Sequence, residues 1–350
     1  MRYKVGILGA TGLVGQRFIE LLQNHPWFEI EVLTASQKSV GKTYKEACHW
    51  TLTTELPSRI AELPVVESDI RSLEKVADVD LLFSALPGDV ARETEEQFAA
   101  KYPVISKASA HRMEPDIPLL IPEINPEHLE LIEIQKQRRN WEGFICTDPN
   151  CSTIQLAISL KPLQKFGLKN IVVSTMQAIS GAGYPGVAAL DLVDNVIPFI
   201  KGEEEKIEHE TKKILGKFVN CQINFADIKL SASCNRVNVR DSHLLTVFVE
   251  LKERISVIKA ESAFEQFNGL PQTLSLPSAP KQPIHVRKEN NRPQPRFDKN
   301  SGRGMSVVLG RIREDPVFSL KYVCLSHNTI RGAAGAGVLS AELLAKKGYL

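Results

Sequence analysis

The chain has 350 residues, 43% hydrophobic and 24% charged, which suits a soluble globular protein with cores for two domains. Lys and Arg number 43 against 41 Asp and Glu, a balance that makes no electrostatic case for nucleic acid or an anionic membrane as partner. Six scattered cysteines without CxxC spacing, and no apolar run of spanning length, argue against a zinc module, a disulfide scaffold or a membrane span, and fit a reducing cytoplasm.

Val5-Gly6-Ile7-Leu8 reads as a short strand. Gly9-Ala10-Thr11-Gly12-Leu13-Val14-Gly15 follows as a GxxGxxG loop, and Val14, Phe18, Ile19, Leu21 and Leu22 line one face of a helix. Strand, glycine turn and helix in that order predict a dinucleotide-binding unit, with Gly9, Thr11, Gly12, Leu13 and Val14 at the cofactor. Turn glycines alone would look similar. A second strand, residues 30–33, leads into Thr34-Ala35-Ser36-Gln37-Lys38-Ser39-Val40-Gly41-Lys42. NAD-preferring enzymes usually place an acid at that point for the ribose 2′-hydroxyl. Here hydroxyls and lysines stand instead, so Ser36, Lys38 and Ser39 suit the 2′-phosphate of NADP. A solvated polar loop is the plainer alternative. Residues 80–87 form another strand that ends at the cofactor, with Ser84 near it. A helix over 90–100, a strand over 103–106 and a helix opened by Asn125-Pro126 follow. Alternating strands and helices over about 150 residues predict a parallel, doubly wound sheet of Rossmann type.

Residues 143–146 read as a buried strand stopped by Pro149. From Ser152 the apolar spacing is helical, so Cys151 sits at a strand-to-helix corner. Such a position favours negative charge and tends to lower a thiol pKa from its usual ~8.5, although most free cysteines are simply core. Pro162 kinks or ends that helix. A β-branched strand over 170–175 runs into the glycine-rich segment 177–186. A charged helix spans 200–215. Residues 230–239 and 244–251 alternate like strands of a half-buried antiparallel sheet. Arg236, Arg240 and His243 fall in and after the first of them, and His243 is a candidate general base or a plain surface histidine. The proline-rich stretch 277–300 reads as a long ordered loop or interface arm. Two more strands, over 307–312 and 320–325, precede a last helix over 335–346, whose small residues would let it pack back on the nucleotide domain.

These pieces together resemble the aspartate-semialdehyde dehydrogenase family, in its archaeal and fungal branch. The motifs are Gly9-x-x-Gly12-x-x-Gly15, Asn150-Cys151-Ser152-Thr153, residues 177–183, Gly202-Glu203-Glu204-Glu205-Lys206, Cys234-Asn235-Arg236-Val237 and residues 328–334. The resemblance implies Cys151 as nucleophile, His243 as general acid/base and Gln177 as the group that orients the acyl carbonyl. It implies Arg236 for the substrate α-carboxylate, Glu203 for the α-ammonium, and Arg112 and Lys206 for phosphate. Ser180, Gly181 and Asn328 would approach the nicotinamide half of NADP.

The implied reaction is NADPH-dependent reduction of β-aspartyl phosphate through a cysteine thioester, on the route to lysine, methionine and threonine. The implied partners are a small-molecule substrate and phosphate, in a homodimer or homotetramer, with no metal. The implied architecture is an NADP-binding domain of residues 1–150 completed by 330–350, and an α+β catalytic and dimerisation domain of 151–329. Two positions depart from the family pattern: Ser242 stands where glycine is usual, and Lys107 where asparagine is common. Competing expectations are a malonyl-CoA reductase or an N-acetyl-glutamyl-phosphate reductase on the same scaffold, or an NADP-binding scaffold protein. A CoA-thioester enzyme needs no site for an α-ammonium group.

Overall fold

A computed structural model describes residues 2–350. Its strands are β1 (Tyr3–Leu8), β2 (Phe28–Ala35), β3 (Val65–Glu67), β4 (Leu81–Ser84), β5 (Pro103–Ser106), β6 (Phe144–Thr147), β7 (Leu168–Gln177), β8 (Lys217–Val219), β9 (Gln222–Asn224), β10 (Lys229–Arg236), β11 (His243–Leu251), β12 (Ile284–Arg287), β13 (Val307–Glu314) and β14 (Leu320–Ser326). The first six make one sheet in the order β3-β2-β1-β4-β5-β6, parallel throughout. The strand order reverses between β1 and β4, where such sheets open a ligand crevice at their carboxyl ends. Buried Ile7, Phe18 and Phe83 pack there with Val338, Leu339 and Leu343 of the last helix, Gly335–Lys347. The small residues that open this helix let it reach the nucleotide-binding half: a Cβ on Gly337 would stand 2.9 Å from the Phe18 ring.

The second sheet runs β10-β7-β11-β14-β13-β12. Here β10 and β11, consecutive in the chain, do not pair with each other. β7 lies between them, parallel to β10 and antiparallel to β11. Residues 237–242 therefore cross the end of β7 rather than forming a hairpin, and that crossing builds the site. The stretch 277–300 is likewise more than a loop, because β12 joins the sheet edge beside β13. Asn125 and Pro126 open a 3-10 turn, Pro126–Glu130, that runs into the helix Leu131–Arg139, as expected. The Asn125 side chain makes no capping bond to that turn; it accepts from Ile121 N and donates to Leu119 O and to His128 Nδ1.

The helix Cys151–Leu160 is buried at every residue after Cys151. A helix covered on all sides belongs between layers. This one lies against β11, β13 and β14 on one side and the helix Glu203–Ile214 on another. Its N-terminus points at the crevice between the two sheets.

Candidate active site

Asn150 caps the Cys151 helix. Its Oδ1 accepts from Ser152 N at 2.9 Å and Thr153 N at 3.2 Å, satisfying donors the helix itself leaves free. Its Nδ2 donates to both Glu203 oxygens at 3.0 and 2.8 Å, and its backbone N–H donates to Glu210 Oε2 at 2.6 Å. The cap thus locks the start of one helix to the start of another. Cys151 Sγ stands 3.1 Å from His243 Nε2.

The thiol is not acidified as the helix terminus alone suggests. Burial, reinforced by the Glu203 carboxylate, pushes it up to about 12 against the pull of Arg112, Arg236 and the Ser152 N–H. Burial also takes His243 down to about 3; Glu203 and Asp241 favour its cation, while Arg236 and His327 oppose it. Burial thus works against charge on both members of the pair. Exclusion of water from the site outweighs the dipole, because desolvation penalises each charged form separately.

Arg236 and His243 lie seven residues apart, an odd offset for one strand face. The structure brings them together by placing them on strands either side of β7. A Cβ on Gly181 would stand 2.9 Å from Arg236 Nη1 and 3.3 Å from His243 Nε2, so both side chains converge beneath this glycine. Arg236 Nη1 also donates to Ala178 O at 2.7 Å. Ser242 adopts φ +89°, which glycine would take freely. Its hydroxyl donates to Ser326 O and its N–H to Asn328 Oδ1, each at 2.8 Å. These bonds hold the turn despite the missing glycine.

Gln177 Nε2 donates to Glu203 Oε2 at 3.3 Å, and Lys206 Nζ donates to Glu203 Oε1 at 3.1 Å. Burial works to raise the Glu203 pKa, but Lys206, Asn150 and Gln177 outweigh it and hold the carboxyl below its usual range. Arg112 is buried and largely engaged. Nη1 donates to Glu210 Oε1 at 2.9 Å and Nη2 to Lys107 O at 2.7 Å. The Lys107 ammonium is buried 3.2 Å from Asp148 Oδ2.

The glycine loop has the shape of a pyrophosphate cradle. Gly9 has φ +74°, and a Cβ there would lie 2.8 Å from Ala85 O at the end of β4. A Cβ on Gly15 would lie 2.5 Å from Gly9 O. Gly12 puts no side chain over the first turn of the helix Leu13–Leu22, so its N–H groups stay open to an anion. These residues fit a bound dinucleotide. A cleft of about 270 Å³ continues from Leu13 and Arg17 to Ser180, Gly183 and Arg240. Thr11 O accepts from Gln16 Nε2, and Val14 packs beside the core. Ser36, Lys38 and Ser39 lie at the end of β2, with Ser36 before the turn Gln37–Ser39. Glu67, on β3, stands beside Ala35 and accepts from Gln37 Nε2 at 3.0 Å; this acid is not visible in the loop's own composition. Ser180 Oγ accepts from Asn328 Nδ2 at 2.9 Å. Ser84 ends β4; its buried hydroxyl donates to Glu95 Oε1 at 2.5 Å, and its carbonyl accepts from Lys107 N.

Sequence reasoning passed over several residues that shape the site. Asn150 carried a legible cap signal ahead of Ser152 and Thr153. Glu210 and the Ala178 amide carried none. Gly332 lay inside a noted motif, yet its role depends on distance: a Cβ there would stand 2.7 Å from Cys151 Cβ.

Known proteins agree with this geometry. The family model "semialdehyde dehydrogenase, NAD binding domain" matches residues 4–132, and "semialdehyde dehydrogenase, dimerisation domain" matches residues 160–331. An aspartate-semialdehyde dehydrogenase from Archaeoglobus fulgidus is 54% identical over 99% of both chains. A malonyl CoA reductase (NADP) from Metallosphaera sedula is 42% identical over 99% of this chain and 98% of its own. The crystal structure of aspartate semialdehyde dehydrogenase with NADP from Candida albicans superposes with a TM-score of 0.91 at 41% identity, covering 100% of both chains. With cradle, cysteine–histidine pair and full-length likeness together, this chain belongs to the semialdehyde dehydrogenase family, in its aspartate-semialdehyde dehydrogenase branch.

Proposed function

We propose that this enzyme reduces β-aspartyl phosphate to aspartate β-semialdehyde and phosphate, using NADPH and a thioester on Cys151. The observation that carries this reading is the 3.1 Å contact of Cys151 Sγ with His243 Nε2, flanked by Glu203 and Arg236. Covalent attack by sulfur divides one hard substitution into easier steps. Arg236 takes the substrate α-carboxylate and Glu203 its α-ammonium. Gln177 orients the acyl carbonyl. Lys206 and Arg112 supply positive charge for the phosphate; Arg112 does so from its pair with Glu210. His243 handles protons beside the sulfur. Gly9, Thr11, Gly12, Leu13 and Val14 hold the pyrophosphate region, Ser36, Lys38 and Ser39 the 2′-phosphate, and Ser180, Gly181 and Asn328 the nicotinamide half. The bound cofactor supplies a two-electron reduction at the acyl carbon.

The division of labour runs between residues 1–150 with 330–350, which hold NADP, and residues 151–329, which carry catalysis and subunit contact. Leu190 is 94% exposed and Phe199 67%, with Val193 and Val196 exposed beside them. An apolar surface of this kind is the mark of a contact face and supports a homodimer or homotetramer, readable by analytical ultracentrifugation. All six cysteines are free, which supports a cytoplasmic setting. No described helix is long and apolar enough to cross a membrane. The product serves lysine, methionine and threonine synthesis.

The decisive assay is phosphate-dependent NADP reduction with aspartate semialdehyde, run beside NADPH oxidation with malonyl-CoA. Turnover confined to malonyl-CoA overturns the reading. Cys151→Ser should keep its fold and NADP affinity and lose turnover, since an alkoxide is far harder to form than a thiolate. Residual turnover near wild type would remove Cys151 as nucleophile.

A further inference from the structure

Lys213 is a buried cation that the proposed reaction leaves unused. It stands near the end of the helix Glu203–Ile214 and is 1% exposed. An ammonium has three protons and no acceptor. Here each proton has its own carbonyl: Nζ donates to Arg112 O and to Glu114 O at 2.7 Å, and to Ile117 O at 2.8 Å. Burial lowers the Lys213 pKa to about 8, against Asp116, Glu114 and Glu210, which favour the cation. At neutral pH the group therefore keeps its three protons. Taking an ammonium out of water is costly, and three short bonds to one segment offset that cost. That segment follows β5 and carries Arg112. Other bonds hold it to its own half of the molecule: Arg139 pairs with Glu114 and Asp116, and Gln135 Nε2 donates to Asp116 O at 3.1 Å. Its side-chain bonds to the helix Glu203–Ile214 come from two residues of that helix. Glu210 takes the Arg112 guanidinium at 2.9 Å, and Lys213 takes the Arg112 carbonyl. Residues three apart are neighbours on one helix face, so a single face grips Arg112 at both ends. The same helix carries Lys206 and Glu203.

We propose that Lys213 is a positioning residue of the phosphate site: it fastens the segment 112–117 to the helix Glu203–Ile214 and so fixes Arg112 relative to Lys206. The inference rests on the acyl-phosphate reading above, in which those two cations receive phosphate. One comes from the segment after β5 and the other from the helix, so the width of the site is set by whatever joins the two. The Glu210 pair holds only the tip of the Arg112 side chain. Lys213 holds its backbone, from which the side chain is aimed. A dianion shared between two cations loses binding when one withdraws, because charge attraction falls with distance and a charged hydrogen bond needs its geometry. All the hydrogen bonds of the Lys213 side chain go to this one segment. Its loss should therefore bear on phosphate far more than on the hold on NADP.

The test is the steady-state kinetics of phosphate-dependent NADP reduction with aspartate semialdehyde, on the full-length wild type, Lys213→Met, Arg112→Met and the double variant. Methionine keeps much of the stem volume and removes the donors. Lys213→Met should raise KM for phosphate on the order of tenfold or more, the effect of one lost charged hydrogen bond, and leave KM for NADP and for aspartate semialdehyde within about twofold. The double variant should bind phosphate no worse than Arg112→Met, since Lys213 acts through Arg112. An unchanged KM for phosphate in folded Lys213→Met, an equal rise in all three constants, or additive losses in the double variant would each overturn the proposal. If Lys213→Met does not fold, Lys213→Gln, which keeps two N–H donors for the carbonyls, is read against the same criteria with a smaller rise expected. A rise in Arg112→Met without one in Lys213→Met would sink the role of Lys213 alone. A wild type without phosphate-dependent turnover would sink the acyl-phosphate reading and the role of Lys213 with it.

Discussion

In the proposed reaction, Arg236 is the residue that separates amino-acid recognition from generic acyl reduction. Nη1 is committed to Ala178 O, which fixes the plane of the guanidinium and aims the rest of the fork toward the site. Lysine would keep the charge and lose both the fork and the anchor. Losing a charged hydrogen bond costs roughly 1.5–3 kcal/mol, on the order of 10–150-fold in kcat/KM. Arg236→Lys should therefore fall by that factor with aspartate semialdehyde and far less with a simple aldehyde lacking the carboxylate. Equal losses on both substrates, with unchanged circular dichroism, would make Arg236 a structural residue. Lys38 supports a parallel prediction at the cofactor. Lys38→Ala should raise KM for NADP several-fold, by the ~1 kcal/mol of one exposed charge contact, and leave KM for NAD unchanged. An equal rise for both cofactors would show that Lys38 does not read the 2′-phosphate.

Behind Cys151, residues Ile330–Ala334 form a wide turn, kinked at Ala333, in which Gly332 N and Ala334 N bond carbonyls five residues back, as in a π-bulge. Such turns are uncommon and often accompany functional sites. Arg331 anchors this one through two bonds to Glu123, at 2.8 and 2.7 Å, in a fully buried ion pair. Gly332 N donates to His327 O at 3.0 Å. The turn thus presses the bare face of Gly332 against Cys151. Gly332→Ala must move the cysteine or the turn, since its Cβ would stand 2.7 Å from Cys151 Cβ. A displacement of about 1 Å at a reacting atom costs on the order of 10²-fold in rate. We expect kcat to drop by that order, with NADP affinity and near-ultraviolet circular dichroism retained. Wild-type kcat in a folded variant would show that the turn yields instead and that its fit to Cys151 is not needed.

At the level of the whole molecule, we predict that buried histidines set the acid limit of stability. His128 is buried with Nδ1 against Asn125 Nδ2, and burial takes it from 6.5 down to about 4. His327 is likewise brought down to about 4, by burial and then Arg17. Above about pH 6.5 these rings are neutral in both folded and unfolded chains, and no stability is lost through them. As pH falls from about 6.5 toward about 4, the unfolded chain binds protons that the folded one refuses, and stability drops. A shift of that size corresponds to roughly 3 kcal/mol for each ring. Tm should fall steeply over this window, and His128→Gln should flatten the slope even if its Tm at neutral pH is lower. An unchanged slope would place the acid sensitivity elsewhere.

The βαβ start, the order of the longer strands and helices, the strand-to-helix corner at Cys151 and the acid-free loop after β2 were all legible from local pattern, whereas the short strands β3, β8, β9 and β12 were not. Apolar periodicity, glycine spacing and cap residues act within a few positions of one another, so the chain displays them directly. The family resemblance added candidates for each role. What the linear order could not display arose from residues distant in sequence. β7 comes between β10 and β11, and this long-range pairing is what lets Arg236 and His243 converge below Gly181. The Ser84 hydroxyl, at a strand end, is taken by Glu95 of the helix that follows. The Cys151 thiol looked acidified by its helix and is pushed the other way. A dipole belongs to one segment and can be inferred from it. Desolvation and hydrogen-bond partners come from every element packed around a group, and they exist only once the chain has folded.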